Sequence, residues 1–407
     1  MFAFYKSIFG DVLTDKIKIS IFGSTGSIGV NTVDVVHRAG SINRFDVKVL
    51  SGGENIKLLA QQAQKLKPDL VVTAFPSRLE ELEGYLSGSG IRVLAGDEAL
   101  VEAACIHSDW TMSSIVGAAG IKVGLKSLEH GGTLALANKE TLVCAGALVN
   151  KLAKKFKAKI IPVDSEHSAV FQCLRGEKIS EVESVTLTAS GGPFRNLPIE
   201  RLEKVSPEQA ANHPNWSMGK KISIDSASMF NKGLEVVEAH HLFSLSGEKI
   251  QVLIHPQSIV HALVNFNDGS TIAQMGNPDM RSAISFALNY PNRSFLDMKR
   301  LDLVELSSLT FEKVDFARWP SLKMAYHVIE LGGYAGVVFN AAKEEASEAF
   351  INKEIGFLEM YKCVEAVIEY LSDKGYFKNK ISSIDEIFEI DKLARSLSQK
   401  YLNKKCM

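Results

Sequence analysis

Residues 16–36 read KIKISIFGSTGSIGVNTVDVV, and this stretch decides the fold. Residues 17–22 alternate in the manner of a strand; Gly23, Gly26 and Gly29 follow, and then Val30, Val33 and Val36 recur at helical spacing. Strand, tight turn and helix in that order let backbone amides and the positive end of a helix face a pyrophosphate. The spacing is GxxGxxG, one residue off the usual dinucleotide fingerprint, so a turn that binds nothing is the competing reading.

Working outward, the rhythm repeats. Strands are expected at 46–50, 70–73 and 91–94, with one helix ending before Pro68 and another after Pro76. Further strands are expected at 114–116, 133–137 and 159–163, with a helix at 141–156 between the last two. Strands alternating with helices imply βαβ units and a Rossmann-like doubly wound parallel sheet over residues 17–164. Residues 1–16 read as an N-terminal extension, because Lys6, Gly10 and Asp11 interrupt any signal-peptide core and no small-residue cleavage site follows.

After Asp164 the pattern changes. A strand at 184–189 leads into a glycine turn and a proline-punctuated polar segment, and from Ser226 the spacing of Met229, Leu234, Val237 and Leu242 suits a helix. Strands follow at 251–254, 259–266 and 270–275, the last two joined across Asn267-Asp268-Gly269, a strong hairpin signal. This is a central α+β domain with antiparallel strands, residues 165–290. Residues 291–316 lack periodicity and read as a linker. Helices at 321–331, 337–350, 357–371 and 384–401, the last opened by a capping box at Ser383 and Glu386, form a C-terminal helical bundle over 317–407.

Composition narrows the function. A length of 407 residues exceeds what one core supports, so two or three domains are expected. The 46 basic and 47 acidic residues give a net charge of -1, which supplies no electrostatic reason to expect nucleic acid or a membrane surface as a partner. No apolar run is long enough to span a bilayer. Five scattered cysteines without CxxC spacing suit reduced thiols in a cytoplasm better than a disulfide frame or a zinc site.

Four polar clusters carry the chemistry. Ser51-Gly-Gly-Glu54-Asn55 follows the second strand, where a carboxylate favours a ribose 2'-hydroxyl and opposes a 2'-phosphate; Glu54 serves equally well as an acid in the first helical turn. Asn138-Lys139-Glu140 emerges at the carboxyl edge of a strand and suits ligand contact or a helix cap. Asp164 and Glu166, two apart, share a face if extended and then call for a hard cation such as Mg2+ or Mn2+; the alternative is a helix start with Asp164 or Ser165 as its cap.

The fourth cluster is the run 213–235, HPNWSMGKKISIDSASMFNKGLE. Ser226, Asn231 and Lys232, with Ser190 from the glycine turn, make the donor inventory of a phosphate site. Glu235 lies one helical turn after Asn231 and would repel a phosphate unless a metal intervened. His213 to Gly219 has the character of a lid, with Trp216 and Met218 free to cover a ligand. His240, His241 and His255 read as structural or surface groups, and His261 alone is a candidate for the site's edge.

Seven motifs now stand in order: GSTGSIG at 23–29, ANKE at 137–140, PVDSEH at 162–167, SGGPF at 190–194, HPNWSMG at 213–219, DSASMFNKGLE at 225–235 and LIHPQS at 253–258. Together they resemble the 1-deoxy-D-xylulose 5-phosphate reductoisomerase family over nearly the whole chain. The resemblance implies NADPH and a divalent cation, Mg2+ or Mn2+ with Co2+ as a third option, and a phosphorylated sugar as substrate. It further implies a cytoplasmic homodimer, with no nucleic acid or membrane partner.

By that resemblance Asp164, Glu166 and Glu235 hold the metal, and Ser190, Ser226, Asn231 and Lys232 the substrate phosphate. Lys139, Ser165 and His213 contact the sugar beneath Trp216 and Met218. Gly23, Thr25, Gly26, Ser27, Ile28, Gly29, Gly53, Asn55, Asn138, Glu140 and Gly219 fall at cofactor positions. Glu54 departs from the basic or small residue many members carry there; Lys57, one turn on, can compensate. Two other classes compete: a metal-free dehydrogenase, which needs a reactive cysteine such as Cys144 or Cys173 if it acylates, and a binding protein that has lost turnover.

Overall fold

The computed structural model describes residues 16–212 and 219–405. The first half alternates strand and helix: β1 (Ile17–Phe22), α1 (Ser27–Arg38), α2 (Ser41–Arg44), β2 (Phe45–Gly52), α3 (Ile56–Leu66), β3 (Leu70–Thr73), α4 (Leu79–Leu86), β4 (Arg92–Ala95), α5 (Asp97–Ala104), β5 (Trp110–Ser113), α6 (Ala119–Leu128), β6 (Thr133–Leu136), α7 (Glu140–Phe156) and β7 (Lys159–Pro162). The strands form one parallel sheet in the order β4-β3-β2-β1-β5-β6-β7. Ile19, Ile21, Val49, Leu50, Val71 and Met112 are buried on its two faces, as a sheet covered by helices requires. The chain winds outward both ways from β1, so a ligand crevice opens beyond the carboxyl ends of β1 and β5.

One strand lies elsewhere than expected. β5 is Trp110–Ser113, and 114–116, expected as a strand for its Ile-Val pair, is the loop that follows it. Val116 is 78% exposed, whereas Trp110 to Ser113 are all buried, so burial rather than β-branching selected the strand.

The second half runs α8 (Ser165–Cys173), β8 (Val182–Ala189), α9 (Pro207–Ala210), α10 (Lys220–Ala227), α11 (Phe230–Phe243), β9 (Ile250–Ile254), β10 (Val260–Phe266), β11 (Thr271–Met275), α12 (Met280–Asn289), α13 (Leu303–Leu306), β12 (Glu312–Lys313), α14 (Pro320–Leu331), α15 (Ala335–Ile351), α16 (Phe357–Asp373) and α17 (Ile384–Lys405). Its sheet, β11-β10-β8-β9-β12, is mixed and not antiparallel throughout, because β8 and β9 are parallel. The helical excursion between them returns the chain to the same end of the sheet, as a parallel pair demands. The hairpin falls where its turn residues indicate: Gly269 has φ +84, and the Phe266 amide donates to the Ser270 carbonyl at 2.9 Å.

Two segments serve the fold differently from their sequence reading. Residues 291–316 are more than a linker, since β12 adds an edge strand to β9. Helix α12 packs against α1, with Ile284, Phe286, Ala287 and Leu288 in the core of the parallel sheet, and Trp110 Nε1 donates to the Ala287 carbonyl at 3.0 Å. The chain thus returns to the first sheet after building the second.

Helix α11 is the hub of the second half. It packs between α7 and α14, and Phe230 at its start meets the rings of Phe339 and Tyr361 at 5.9 and 5.3 Å. A fully buried Phe contributes about 2–3 kcal/mol, enough to seat the helix end that bears Asn231 and Lys232.

Candidate functional site

The crevice at the end of β1 is shaped by glycine. Gly23 has φ +86, and a Cβ there would stand 2.7 Å from the Ser114 carbonyl oxygen; one on Gly29 would stand 2.1 Å from the Gly23 oxygen. The first turn of α1 therefore lies directly on its own loop, with Gly26 as its N-cap and Ser27 and Ile28 lining the cleft. The Ser24 amide donates to the Ser51 carbonyl at 2.7 Å and ties the loop, Thr25 included, to β2. Gly53 and Asn55 follow that strand; the Asn55 side chain caps α3 by accepting from the Leu58 amide at 3.2 Å.

Across the cleft, Asp164, Glu166 and Glu235 bring carboxylate oxygens within 4.8 Å of one another. The helix-start reading of the acidic pair is the observed one, with Asp164 as the N-cap of α8 and Glu166 in its first turn, and both carboxylates face Glu235. It is the turn of a helix start, not an extended strand, that places them on one side.

Two ammonium groups stand among the three acids. Lys139 Nζ is 2.8 Å from Asp164 and 3.3 Å from Glu235, and it donates to Asn231 Oδ1 at 2.7 Å. Lys232 Nζ is 2.7 Å from Glu166 and also pairs with Glu235, which accepts from the Asn231 amide as well. Burial disfavours every one of these charges, and the opposite charges decide the outcome. Burial opposes the Asp164 carboxylate, but Lys139, His167 and Lys232 hold it well below the usual range. Burial opposes the lysines too, and the carboxylates keep both protonated above the ordinary lysine value. Glu235 is pushed up, by burial first and then by the Glu166 charge.

Ser190, Ser226, Asn231 and Lys232 line this same cleft, as do Lys139, Ser165, Gly219 and His261. Four groups read from distant stretches therefore share one concavity.

Comparison with known proteins decides what this arrangement belongs to. Family models described as 1-deoxy-D-xylulose 5-phosphate reductoisomerase, its C-terminal domain and DXP reductoisomerase C-terminal domain match residues 19–146, 160–243 and 275–397. A protein of that name from Ruegeria pomeroyi is 53% identical over 379 residues, covering 93% of this chain and 95% of the relative. The chain belongs to the 1-deoxy-D-xylulose 5-phosphate reductoisomerase family. A solved reductoisomerase from Zymomonas mobilis in complex with NADPH is 41% identical, with TM-score 0.89 over 95% of this chain and 99% of that one. Another, in complex with NADPH, fosmidomycin and magnesium, is 38% identical, with TM-score 0.90 over 95% and 98%.

Within this reductoisomerase fold Asn138 and Glu140, expected at cofactor positions, also bond to the chain itself. Asn138 and Glu140 are buried and spend their side chains on the 115–117 loop: Asn138 Nδ2 donates to Ile115 O at 2.7 Å, and Glu140 Oε1 accepts from the Gly117 amide at 3.0 Å. His213, Trp216 and Met218 lie outside the described residues. His255 is structural, accepting from the Ile259 and Val260 amides at 3.2 Å.

Two groups were missed. His167 is fully buried, its Nε2 2.9 Å from the Glu235 carbonyl and its Nδ1 3.5 Å from Glu238. Burial pushes Glu238 up to about 7, against the pull of His167. Both lie three residues after a candidate ligand, and that helical spacing was the available signal.

Proposed function

We propose that the chain converts 1-deoxy-D-xylulose 5-phosphate to 2-C-methyl-D-erythritol 4-phosphate, a step toward isoprenoid precursors, using NADPH and Mg2+ or Mn2+. The observation that carries this reading is the convergence of Asp164, Glu166 and Glu235 in the cleft that the first turn of α1 also lines. An all-oxygen ligand set of three carboxylates fits a hard divalent cation. The glycine loop, with no room for a Cβ at Gly29, fits a dinucleotide pyrophosphate.

When bound, the cation supplies Lewis-acid polarisation of the substrate ketone during its rearrangement to an aldehyde. NADPH, held along the Gly23–Gly29 loop, would supply the hydride for the reduction. The residues of the chain bind and orient. Ser190, Ser226, Asn231 and Lys232 offer two hydroxyls, an amide and an ammonium to the phosphate, whose remote binding energy holds the reacting carbons in place. Lys139, kept protonated by its carboxylates, donates to substrate oxygens and stabilises negative charge there. Ser165 adds a hydroxyl at the same wall of the cleft; the cover that excludes water is assigned to His213, Trp216 and Met218 by the family resemblance alone.

The acylating dehydrogenase fits poorly, because burial raises the Cys144 thiol well above its ordinary value and the Cys173 thiol to about 11. We also infer a cytoplasmic homodimer; the edge strand β11, with Ile272 exposed, supports the second sheet as its contact surface. No helix among the described residues is long and apolar enough to cross a membrane. The test is loss of NADPH absorbance with deoxyxylulose phosphate, with and without Mn2+. No metal-dependent loss sinks the proposal, and a monomer by light scattering sinks the dimer.

A further inference from the structure

The C-terminal helices reach the cleft at the corner between α10 and α11. Asp225, the residue before Ser226, is buried, and its carboxylate accepts from Lys343 Nζ at 2.9 Å and from Ser347 Oγ at 3.0 Å, both on α15. Three residues on, the Ser228 carbonyl accepts from Ser321 Oγ of α14 at 2.7 Å and from Tyr361 Oη of α16 at 3.1 Å. Met229 then turns the chain with φ +58 into α11, which carries Asn231, Lys232 and Glu235. Four donors from three helices converge on residues 225–228, while Ser226 between them lines the cleft.

Lys343 is 2% exposed, so its pairing with Asp225 is fully desolvated. A buried ion pair adds little net stability relative to an apolar pair, yet it tolerates little displacement, since moving either partner leaves a charge unpaired. Arg395 of α17 donates to Glu344 at 2.8 Å, next to Lys343, and holds this part of α15 in turn. What the arrangement supplies is position.

We propose that Asp225, Lys343 and Ser347 form a positioning latch through which the C-terminal helices set the Ser226 hydroxyl toward the substrate phosphate. The inference rests on Ser226 being a phosphate ligand, as proposed above. The three residues act through Ser226 and do not touch the substrate. A preset hydroxyl saves the binding step the cost of ordering it, so loss of the latch weakens sugar-phosphate binding and spares NADPH.

The test uses the full chain with Mg2+, NADPH and 1-deoxy-D-xylulose 5-phosphate, comparing Lys343→Met, Ser347→Ala and Ser226→Ala alone and combined. Lys343→Met raises KM for the sugar phosphate about tenfold and Ser347→Ala about threefold, with kcat held within about twofold. The NADPH dissociation constant, read by fluorescence, stays at the wild-type value. In the Ser226→Ala background each change adds less than about twofold, since the group being positioned is gone. Equal effects in both backgrounds, or a parallel loss of NADPH affinity, reduce the latch to general packing and overturn it. If Lys343→Met does not fold, Ser347→Ala, which deletes one hydrogen bond and no charge, decides. An unchanged KM in Ser226→Ala overturns the phosphate reading and the latch with it; a raised KM there with none in the latch variants overturns the latch alone.

Discussion

Lys232 Nζ lies 2.7 Å from the Glu166 carboxylate, although the two residues come from different helices and distant parts of the chain. The pairing joins the candidate phosphate clamp to the candidate metal ligands. With Lys139 against Asp164 it sets two ammonium groups against three carboxylates, of which Asp164 and Glu166 are half-buried and Glu235 is buried, so the acids keep an excess of negative charge. A divalent cation enters a cluster already organised for positive charge.

Glu235 makes the strongest single test of that cluster. Glu235→Gln removes one candidate anionic ligand while keeping its size, and turnover is expected to fall by at least about 100-fold, the upper end of what partners outside the ligand sphere cost. Mn2+ affinity falls with it in a calorimetric titration, and NADPH still binds. Near-normal turnover removes Glu235 from the metal site.

Chelation separates the metal's role from folding. Removing divalent ions with EDTA abolishes turnover, and Mg2+ or Mn2+ restores it. Thermal unfolding shifts upward on adding metal, by about 2.7 kcal/mol of stability at 100 times the dissociation constant. A midpoint indifferent to Mg2+ counts against a site in the folded chain.

Gly29→Ala tests the loop. The added methyl lies 2.1 Å from the Gly23 oxygen, so α1 must lift off its own loop. NADPH affinity drops about tenfold or more, alongside a stability loss of about 1–3 kcal/mol. An unaltered NADPH titration would falsify the placement of the pyrophosphate there.

Glu54 bears on cofactor choice. It is exposed just past β2, beside the Asn55 cap of α3. The wild-type chain is expected to prefer NADPH to NADH, and Glu54→Lys to widen that preference about tenfold, because the charge just past the second strand, where the 2'-phosphate is expected, reverses sign. Fluorescence titrations with both nucleotides read the ratio, and a constant ratio exonerates Glu54.

His241 predicts an acid sensitivity away from the cleft. Its ring fills the space left by Gly146, where a Cβ would lie 2.2 Å from the imidazole, and burial, aided by His240, pulls its pKa down to about 4. The unfolded chain therefore binds this proton first. Stability is full above the unfolded value of about 6.5 and declines as pH falls toward 4, by up to about 3 kcal/mol. Urea unfolding at pH 7.5 and 5 shows a smaller decline in His241→Gln; equal declines dismiss this histidine as the cause.

Much of this molecule is written locally. The glycine loop, the strands on either side of it, the Asn267-Asp268-Gly269 turn and the four long C-terminal helices follow from side-chain period and turn chemistry, which act over a few residues. At Ser383 the local rule held by half: the Glu386 amide donates to Ser383 Oγ, but the Glu386 carboxylate reaches back to Ser382. The residue types of the site were legible as well, since acids, hydroxyls and lysines concentrated in polar runs.

Tertiary structure alone decided how those runs meet. Nothing in the order of residues says that β5 precedes 114–116, that β9 returns parallel to β8, or that α12 closes back over the first sheet; burial against partners far along the chain selects each. The same holds for Asp164 and Glu166, whose shared direction comes from a helix start facing α11, and for Asp225 beneath Lys343. Period and turn chemistry are short-range, whereas a buried charge takes its partner from whichever element folding brings alongside.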